Sequence, residues 1–170
     1  MKKLLLLIVL LLMITGAFAE DEEDKGSLTN VGQPAPVFSV TSIEGVRYDV
    51  EQLRGNIVLI NFFATWCRPC MAEMPELEKR IWQRFQGKDF IVLAIGREHT
   101  NKELKKFKRR KKYTFPIAPD PNRKVYSLFA EKYIPRNFLI DKQGKIIFQS
   151  IGFEKAEFKE LINTIENVLQ

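Results

Sequence analysis

The seven residues Ile57–Phe63 form an apolar run that leads, three residues later, to the only two cysteines of the 170-residue chain. The run is apolar except for Asn61, which is typical of a strand covered on both faces and predicts a central parallel strand. Cys67 and Cys70 then stand at a predicted helix start, where their spacing brings the two sulfur atoms within bonding reach. This feature predicts a strand-to-helix joint that carries a reversible disulfide.

The position at a helix start predicts different roles for the two cysteines. Unpaired backbone N–H groups and the helix dipole favour negative charge at Cys67, which lowers its pKa and makes it the attacking thiol. Cys70 lies one turn further in, where a more buried thiol can resolve a mixed disulfide. The same spacing supplies half of many zinc sites. The chain has no second cysteine pair, and its one histidine, His99, has no evident partner ligand. We therefore expect a redox pair, with no metal and no cofactor besides the disulfide.

The first nineteen residues resemble an export signal more than part of a fold. Lys2 and Lys3 precede an apolar run over residues 4–14, and Ala17 and Ala19 provide small residues for cleavage. A retained membrane anchor is the alternative, although the run is shorter than the roughly 20 residues that span a bilayer. We expect a signal peptide at 1–19, a flexible acidic tail at 20–30 and one domain at 31–170. The protein would then act outside the cytoplasm, where disulfides persist.

The remaining pattern predicts a mixed sheet with helices on both faces. Expected strands cover residues 38–40, 46–50, 57–63, 90–95, 115–118, 138–141 and 145–151, with the first two and the last two forming hairpins. Amphipathic helices are expected after Cys70, across the basic stretch 102–112 and at the C-terminus. A further helix is expected to begin at Asp120 and Pro121, with Val125, Leu128 and Phe129 as its buried stripe.

The formal net charge of +6 comes largely from residues 102–112, which hold eight Lys or Arg residues and one acid, Glu103. A solvated helix face, with Leu104 and Phe107 pointing inward, is the favoured interpretation. The alternative is a docking surface for an acidic partner or anionic lipid. Nucleic acid is not an expected partner of an exported protein.

Several features together resemble the thioredoxin fold. They are the stretch from Trp66 to Cys70 after an apolar strand, Pro75, Ile134 and Pro135 before a hairpin, and Gly152 after it. Within that fold, the signal sequence, the Glu44-Gly45 turn, residues 61–67 and residues 70–75 are similar to the TlpA/ResA-like extracytoplasmic thiol-disulfide oxidoreductases of bacteria. The resemblance covers essentially residues 31–170. It implies a thioredoxin fold with a central mixed sheet, flanking helices and an N-terminal β-hairpin.

The resemblance also implies roles for residues around the cysteines. Pro135 would be a cis-proline that faces the disulfide, and the backbone beside it would pair with a substrate chain. The expected substrate-binding residues are Trp66, Arg68, Pro69, Ile134, Pro135 and Arg136. The expected partners are exported proteins that contain disulfides and a membrane electron donor of DsbD or CcdA type, with the protein itself a monomer.

Two departures from the family pattern bear on the chemistry. Thioredoxin has a buried Asp where this chain has Asn61, so Glu73 is the expected proton acceptor, one helical turn after Cys70. Arg136 and Asn137 stand where the family commonly has threonines, which changes the substrate-facing loop. If Pro135 faces the disulfide, Arg136 is expected close to it, where Arg136 and Arg68 would stabilise the Cys67 thiolate.

Three functions fit these expectations to different degrees. The leading one is reduction of disulfides in exported proteins, with apocytochrome c among the possible substrates. A disulfide-forming oxidant is a second, since a positive charge beside the thiolate stabilises the reduced form. A metal-binding or copper module is the third, although the pattern lacks the expected nearby His or Met ligands. A peroxidase is disfavoured because Ala64 stands where its threonine is needed.

Overall fold

The computed structural model describes residues 26–170. The predicted signal peptide and residues 20–25 of the predicted tail lie outside this range. Within the described residues, no helix is long and apolar enough to cross a membrane.

The core of the molecule is a five-stranded mixed sheet in the order β5-β4-β3-β6-β7. Its strands are β3 (Ile57–Phe63), β4 (Phe90–Arg97), β5 (Ile117–Asp120), β6 (Arg136–Ile140) and β7 (Ile146–Ile151), and a separate antiparallel hairpin joins β1 (Ser39–Thr41) to β2 (Arg47–Asp49). β3 runs parallel to β4 and antiparallel to β6. Every residue of β3 is buried. The predicted central strand, both hairpins and the mixed sheet are therefore confirmed.

Four helices cover the two faces of this sheet. They are α1 (Arg68–Glu76, continued by Leu77–Trp82 and Gln83–Phe85), α2 (Asn101–Lys111), α3 (Tyr126–Phe129) and α4 (Lys155–Val168). The apolar residues of α1, α2 and α4 pack in one cluster with Leu59 and Phe63 of β3. Those of α3 and the hairpin pack on the other face with Val58, Ile60 and Phe62. Side-chain alternation along β3 thus separates the two layers.

Helix α1 changes geometry below the active site but keeps its apolar stripe. Pro75 lies inside it, where proline removes a backbone donor. A π-helical segment, Leu77–Trp82, follows directly. Such segments occur mostly as short insertions within α-helices. The apolar stripe of this helix, Met74, Leu77, Ile81 and Phe85, is nevertheless buried throughout, so the π-helical segment does not turn the stripe away from the sheet.

The segment around Asp120 differs from the prediction. Asp120 ends β5 instead of beginning a helix, and the short helix α3 starts at Tyr126. The Asp120 carboxylate still accepts from the N–H groups of Val125 and Tyr126, at 3.1 and 2.8 Å. The predicted cap was therefore wrong, because the N-cap of α3 is Val125 and makes no side-chain capping hydrogen bond, while Asp120 reaches these N–H groups from across a loop. The strand itself was misplaced because it contains Pro119, which a sheet tolerates at an edge strand such as β5.

The last part of the predicted flexible tail, residues 26–30, is attached to the domain. The Leu28 N–H donates to the Phe129 carbonyl, and the Glu131 N–H donates to the Gly26 carbonyl. Ser27 forms a β-bridge with Ala130, and Thr29 is buried. The prediction of a mobile segment up to Asn30 was wrong for these residues, because backbone hydrogen bonds attach a segment that has few apolar side chains.

Two leucines that were both predicted to be buried provide a matched test of the packing. Leu104 is 0% exposed beneath α2, whereas Leu128 is 41% exposed. We expect Leu104→Ala to lower the free energy of unfolding by about 2–5 kcal/mol. Leu128→Ala should change it by about 0.5 kcal/mol or less. Urea unfolding monitored by circular dichroism measures both, and equal losses in the two variants would contradict this packing.

Candidate active site

The loop between β3 and α1 places both cysteines at the start of a helix. Cys67 is the N-cap of α1, and its Sγ accepts from the Cys70 N–H at 3.3 Å. Arg68 and Pro69 follow as the first helical residues, where proline is favoured because its missing N–H has no intrahelical role. The Cys67 sulfur therefore lies at the end of the helix where a thiolate is stabilised.

Cys67 and Cys70 form a disulfide with unequal access to solvent. Cys67 is 6% exposed and Cys70 is 0% exposed. Sγ of Cys67 lies 3.6 Å from the carbonyl oxygen of Ile134, and the peptide bond between Ile134 and Pro135 is cis. The predicted cis-proline is therefore confirmed, and the backbone that precedes it borders the more accessible sulfur.

A buried carboxylate lies one helical turn below Cys70. Glu73 is 1% exposed and therefore does not face solvent. Its Oε2 accepts from Nδ2 of Asn61 at 2.9 Å, and its Oε1 accepts from Nδ2 of Asn137 at 2.6 Å. Asn61 Nδ2 also donates to Asn137 Oδ1 at 2.8 Å, and Asn137 Nδ2 donates to Ser150 Oγ at 3.2 Å. Two amides thus hold both oxygens of one carboxylate.

The register of the sheet assembles this network. Asn61 pairs directly with Asn137, and Asn137 pairs with Ser150, so three neighbouring strands place polar side chains in one row. Side chains of directly opposed residues project from the same face. The row therefore faces α1 beneath Glu73. Asn137 and Ser150 were not predicted as site residues; each stands beside a second polar residue, Arg136 or Gln149, so the strand pattern alone does not single them out.

Burial raises the pKa of Glu73 from 4.5 to about 7, while the hydrogen bonds from Asn137 and Asn61 oppose that rise. Near neutral pH both the acid and the carboxylate are then populated. A group in that state can accept a proton and later release it. A carboxyl group with this pKa therefore lies one helical turn from the buried Cys70.

Aromatic and basic side chains surround the accessible side of the disulfide. Trp66 is 61% exposed, directly before Cys67. The guanidinium of Arg97 lies 5.7 Å from the Trp66 ring centroid and 4.8 Å from that of Tyr126. Tyr126 Oη donates to the carbonyl of Tyr133, itself exposed and just before Ile134. Arg97 thus lies within cation–π distance of one exposed ring, Trp66, and one buried ring, Tyr126. Arg97 was not predicted as part of the site.

The two arginines predicted near the disulfide have different outcomes. Arg68 is exposed directly after Cys67, and its effect on the thiolate stays a prediction. Arg136 is buried and pairs with Phe62, whose ring packs against Tyr126 on the face opposite α1. Its guanidinium donates to the Lys132 carbonyl and to Ser27 Oγ. The expectation that it faces the disulfide was wrong, because strand alternation turns it to the other side.

His99 lies beside the active-site loop. Its Nε2 accepts from the Thr65 N–H at 2.9 Å, two residues before Cys67. Sequence reasoning tested His99 only as a metal ligand. The contact joins the loop after β4 to the loop after β3, and parallel neighbouring strands bring these two loops to the same edge.

Comparisons with known proteins agree with this geometry. A model of the AhpC/TSA family matches residues 31–149. The thiol-disulfide oxidoreductase ResA of Bacillus thuringiensis is 33% identical over 142 residues, which cover 84% of this chain and 79% of ResA. The solution structure of a candidate protein disulfide isomerase from Bacteroides thetaiotaomicron has a TM-score of 0.81 and 32% identity, covering 85% of this chain and 92% of that one. A candidate thiol:disulfide interchange protein DsbE from Chlorobium tepidum has a TM-score of 0.71 and 28% identity, covering 83% and 99%.

The chain therefore belongs to the AhpC/TSA family and, within it, to the ResA-like thiol-disulfide oxidoreductases of thioredoxin fold. It is an enzyme of thiol-disulfide exchange whose redox group is the Cys67–Cys70 disulfide. Proteins of this class exchange electrons with protein substrates and redox partners. The predicted fold and enzyme class are both confirmed.

Glu73 should make the stability of the oxidised protein fall as pH rises. Its pKa is raised to about 7 in the folded state from 4.5, so the folded state keeps a proton that the unfolded state has lost. The contribution of this protonation to the free energy of unfolding is fully present below pH 4.5. It is lost as pH rises through about 7, a loss of about 3 kcal/mol.

Urea unfolding of the oxidised protein at several pH values measures this dependence. Glu73→Gln has no titrating carboxyl at this position, so its stability should lack that component of the pH dependence. The difference between the two curves should grow from pH 4.5 upwards. Parallel curves for the two proteins would contradict a raised pKa at Glu73.

Proposed function

We propose that this protein reduces disulfides of exported proteins, with Cys67 as the attacking thiol, Cys70 as the resolving thiol and Glu73 as the proton acceptor for Cys70. One observation carries the proposal. The carboxylate of Glu73, with a pKa of about 7, is buried one helical turn from a cysteine that is itself fully buried. A buried thiol needs a nearby base to become a nucleophile, because burial in apolar surroundings raises its own pKa.

The first step transfers the substrate to Cys67. The Cys67 thiolate attacks one sulfur of a substrate disulfide, a mixed disulfide forms, and the other substrate sulfur leaves as a thiolate. The N-terminus of α1 and the Cys70 N–H stabilise the attacking thiolate. The Ile134 carbonyl lies 3.6 Å from this sulfur, and Trp66 and Pro69 are exposed on either side of Cys67 in the chain. These residues and Pro135 are proposed to contact the substrate chain.

The second step releases the substrate. Glu73 accepts the Cys70 proton, the Cys70 thiolate attacks Cys67 Sγ, and the second substrate sulfur leaves as a thiolate. Two electrons have then moved from the enzyme dithiol to the substrate, and the Cys67–Cys70 disulfide has formed. A dithiol partner must reduce it again; a membrane donor of DsbD or CcdA type is the proposed one. Apocytochrome c is among the proposed substrates.

The proposed location is outside the cytoplasm, after cleavage of residues 1–19. The apolar run at 4–14 behind Lys2 and Lys3, with small residues at Ala17 and Ala19, supports export. A retained anchor would place the same domain at the outer face of the membrane. The protein is proposed to act as a monomer.

The direction of electron flow separates the leading proposal from its nearest alternative. Arg68, exposed beside Cys67, favours the thiolate and so would make the couple more oxidising. A reduction potential near that of thioredoxin, about −270 mV, supports a reductase, whereas one near about −120 mV would indicate a disulfide-forming oxidant. A copper-binding role would rest on the two thiolates, since within residues 26–170 no group of three or more His, Cys, Asp or Glu is placed to hold a metal.

Single cysteine variants test the assignment of the two thiols. Cys70→Ser should trap a substrate on Cys67 as a stable mixed disulfide, because only the resolving thiol is missing. Cys67→Ser should abolish exchange and trap nothing, since Cys70 is fully buried. Non-reducing electrophoresis and mass spectrometry of the trapped species measure this difference. Equal trapping by both variants would reverse the assignment.

Glu73→Gln tests the proton transfer separately from the first attack. The amide cannot accept the Cys70 proton, so release of the second substrate thiol should slow by about 10²-fold or more. The first attack by Cys67 should stay within about threefold, since that step uses no proton from Cys70. Stopped-flow measurement of both steps across the pH range around 7 separates them. An unchanged release rate and pH profile would remove Glu73 from the mechanism.

A further inference from the structure

The active-site loop is held by two hydrogen bonds that have different partners. The Cys67 N–H donates to the Ala64 carbonyl at 3.1 Å within the loop itself. The Thr65 N–H donates outside the loop, to Nε2 of His99 at 2.9 Å. An imidazole nitrogen therefore attaches the backbone between the end of β3 and the cysteine to the loop after β4.

His99 lies directly before the start of α2. The side chain is 5% exposed, and its ring lies 6.5 Å from that of Phe63. Because Nε2 accepts a hydrogen bond, the neutral ring carries its proton on Nδ1. Nδ1 lies 3.8 Å from Oε2 of Glu103, the carboxylate that accepts from the Thr100 N–H in the capping box of α2. The ring thus lies beside the capping carboxylate, but at 3.8 Å Nδ1 does not hydrogen-bond to it, and within residues 26–170 this nitrogen has no hydrogen-bond partner.

We propose that His99 is a positioning residue for Cys67, which holds the loop at Thr65 so that the Cys67 sulfur stays at the N-terminus of α1. The inference rests on the proposed role of Cys67 as the attacking thiol. His99 does not touch the sulfur atoms in this account. It acts through the backbone of residues 64–67, and the chemical requirement is an acceptor at the Nε2 position.

Acid should release this contact. A proton on Nε2 removes the acceptor and sets an N–H against the Thr65 N–H. Burial lowers the pKa of His99 below 6.5, and the charges of Glu103 on α2 and Glu98 in the same loop oppose that shift. The other groups that face the His99 ring are uncharged: the Phe63 ring of β3 and the Thr65 backbone of the active-site loop. The neutral, accepting imidazole therefore persists at neutral pH, and the loop loosens only below the ordinary histidine range.

Nuclear magnetic resonance tests the hydrogen bond directly, and the chain has only one histidine to assign. In the oxidised wild-type protein at neutral pH, a scalar coupling across the hydrogen bond should join the Thr65 nitrogen to Nε2 of His99. The ring should be the Nδ1–H tautomer. On acidification the coupling should vanish together with histidine protonation. An Nε2–H tautomer at neutral pH, or a Thr65 amide that does not respond to histidine titration, would overturn the inference.

Two variants test the consequence for chemistry. His99→Gln retains a hydrogen-bond acceptor but has no titrating ring. His99→Leu has no acceptor and no titrating ring. We expect His99→Gln to attack a small aromatic disulfide at about the wild-type rate, after correction for the thiolate fraction measured by absorbance. His99→Leu should be about tenfold slower, because the sulfur is misplaced. Below the ordinary histidine range, the corrected wild-type rate should fall and that of His99→Gln should not.

The outcomes distinguish the inference from the proposed function. Equal corrected rates for all three proteins would overturn the positioning role while leaving Cys67 as the attacking thiol. Equal slowing in both variants would also overturn it, since an acceptor would not then be the requirement. A wild-type protein that does not react with the disulfide would instead refute the proposed function, and the coupling to Thr65 would still be measurable. If His99→Leu does not fold, the coupling and His99→Gln decide the question.

Discussion

The buried carboxylate of Glu73 is the constraint on which the rest of this site depends. A carboxylate without partners is excluded from a protein interior, because the loss of hydration costs several kcal/mol. Here both oxygens accept amide hydrogen bonds, from Asn61 on β3 and Asn137 on β6. This requires α1 to cross the sheet where those two strands pair. The hydrogen bonds to Glu73 therefore fix how α1 lies on the sheet and also where the proposed proton acceptor lies.

The same helix joins that carboxylate to the redox pair. Cys67 caps α1, Cys70 lies within its first turn and Glu73 lies one turn later. The N-terminus of the helix favours charge on Cys67, whereas burial favours a neutral Cys70 until a base is available. The two thiols are consequently unequal before any substrate arrives. The carbonyl before the cis-proline lies beside the accessible sulfur, and His99 accepts a hydrogen bond from the loop at Thr65.

Sequence reasoning predicted the parts of this structure that depend on local pattern. The strand Ile57–Phe63, the stripe of α1 and the cysteines at its start follow from hydrophobic period and helix-end chemistry. It did not find Asn137 as a partner of Glu73, since that contact depends on the register between β3 and β6. Arg136 was misplaced because a neighbour of the cis-proline need not share its face. His99 was missed because its partner is a backbone N–H, which no side-chain motif reveals.

The proposed mechanism depends on Glu73 exchanging a proton near neutral pH, one helical turn from Cys70. The most direct measurement is the pH titration of the Glu73 side-chain carboxyl by carbon NMR in the oxidised protein. The chemical shift should move with a midpoint at about 7. A midpoint at the ordinary value of 4.5 would show a carboxylate that stays ionised throughout the working range and contradict the account.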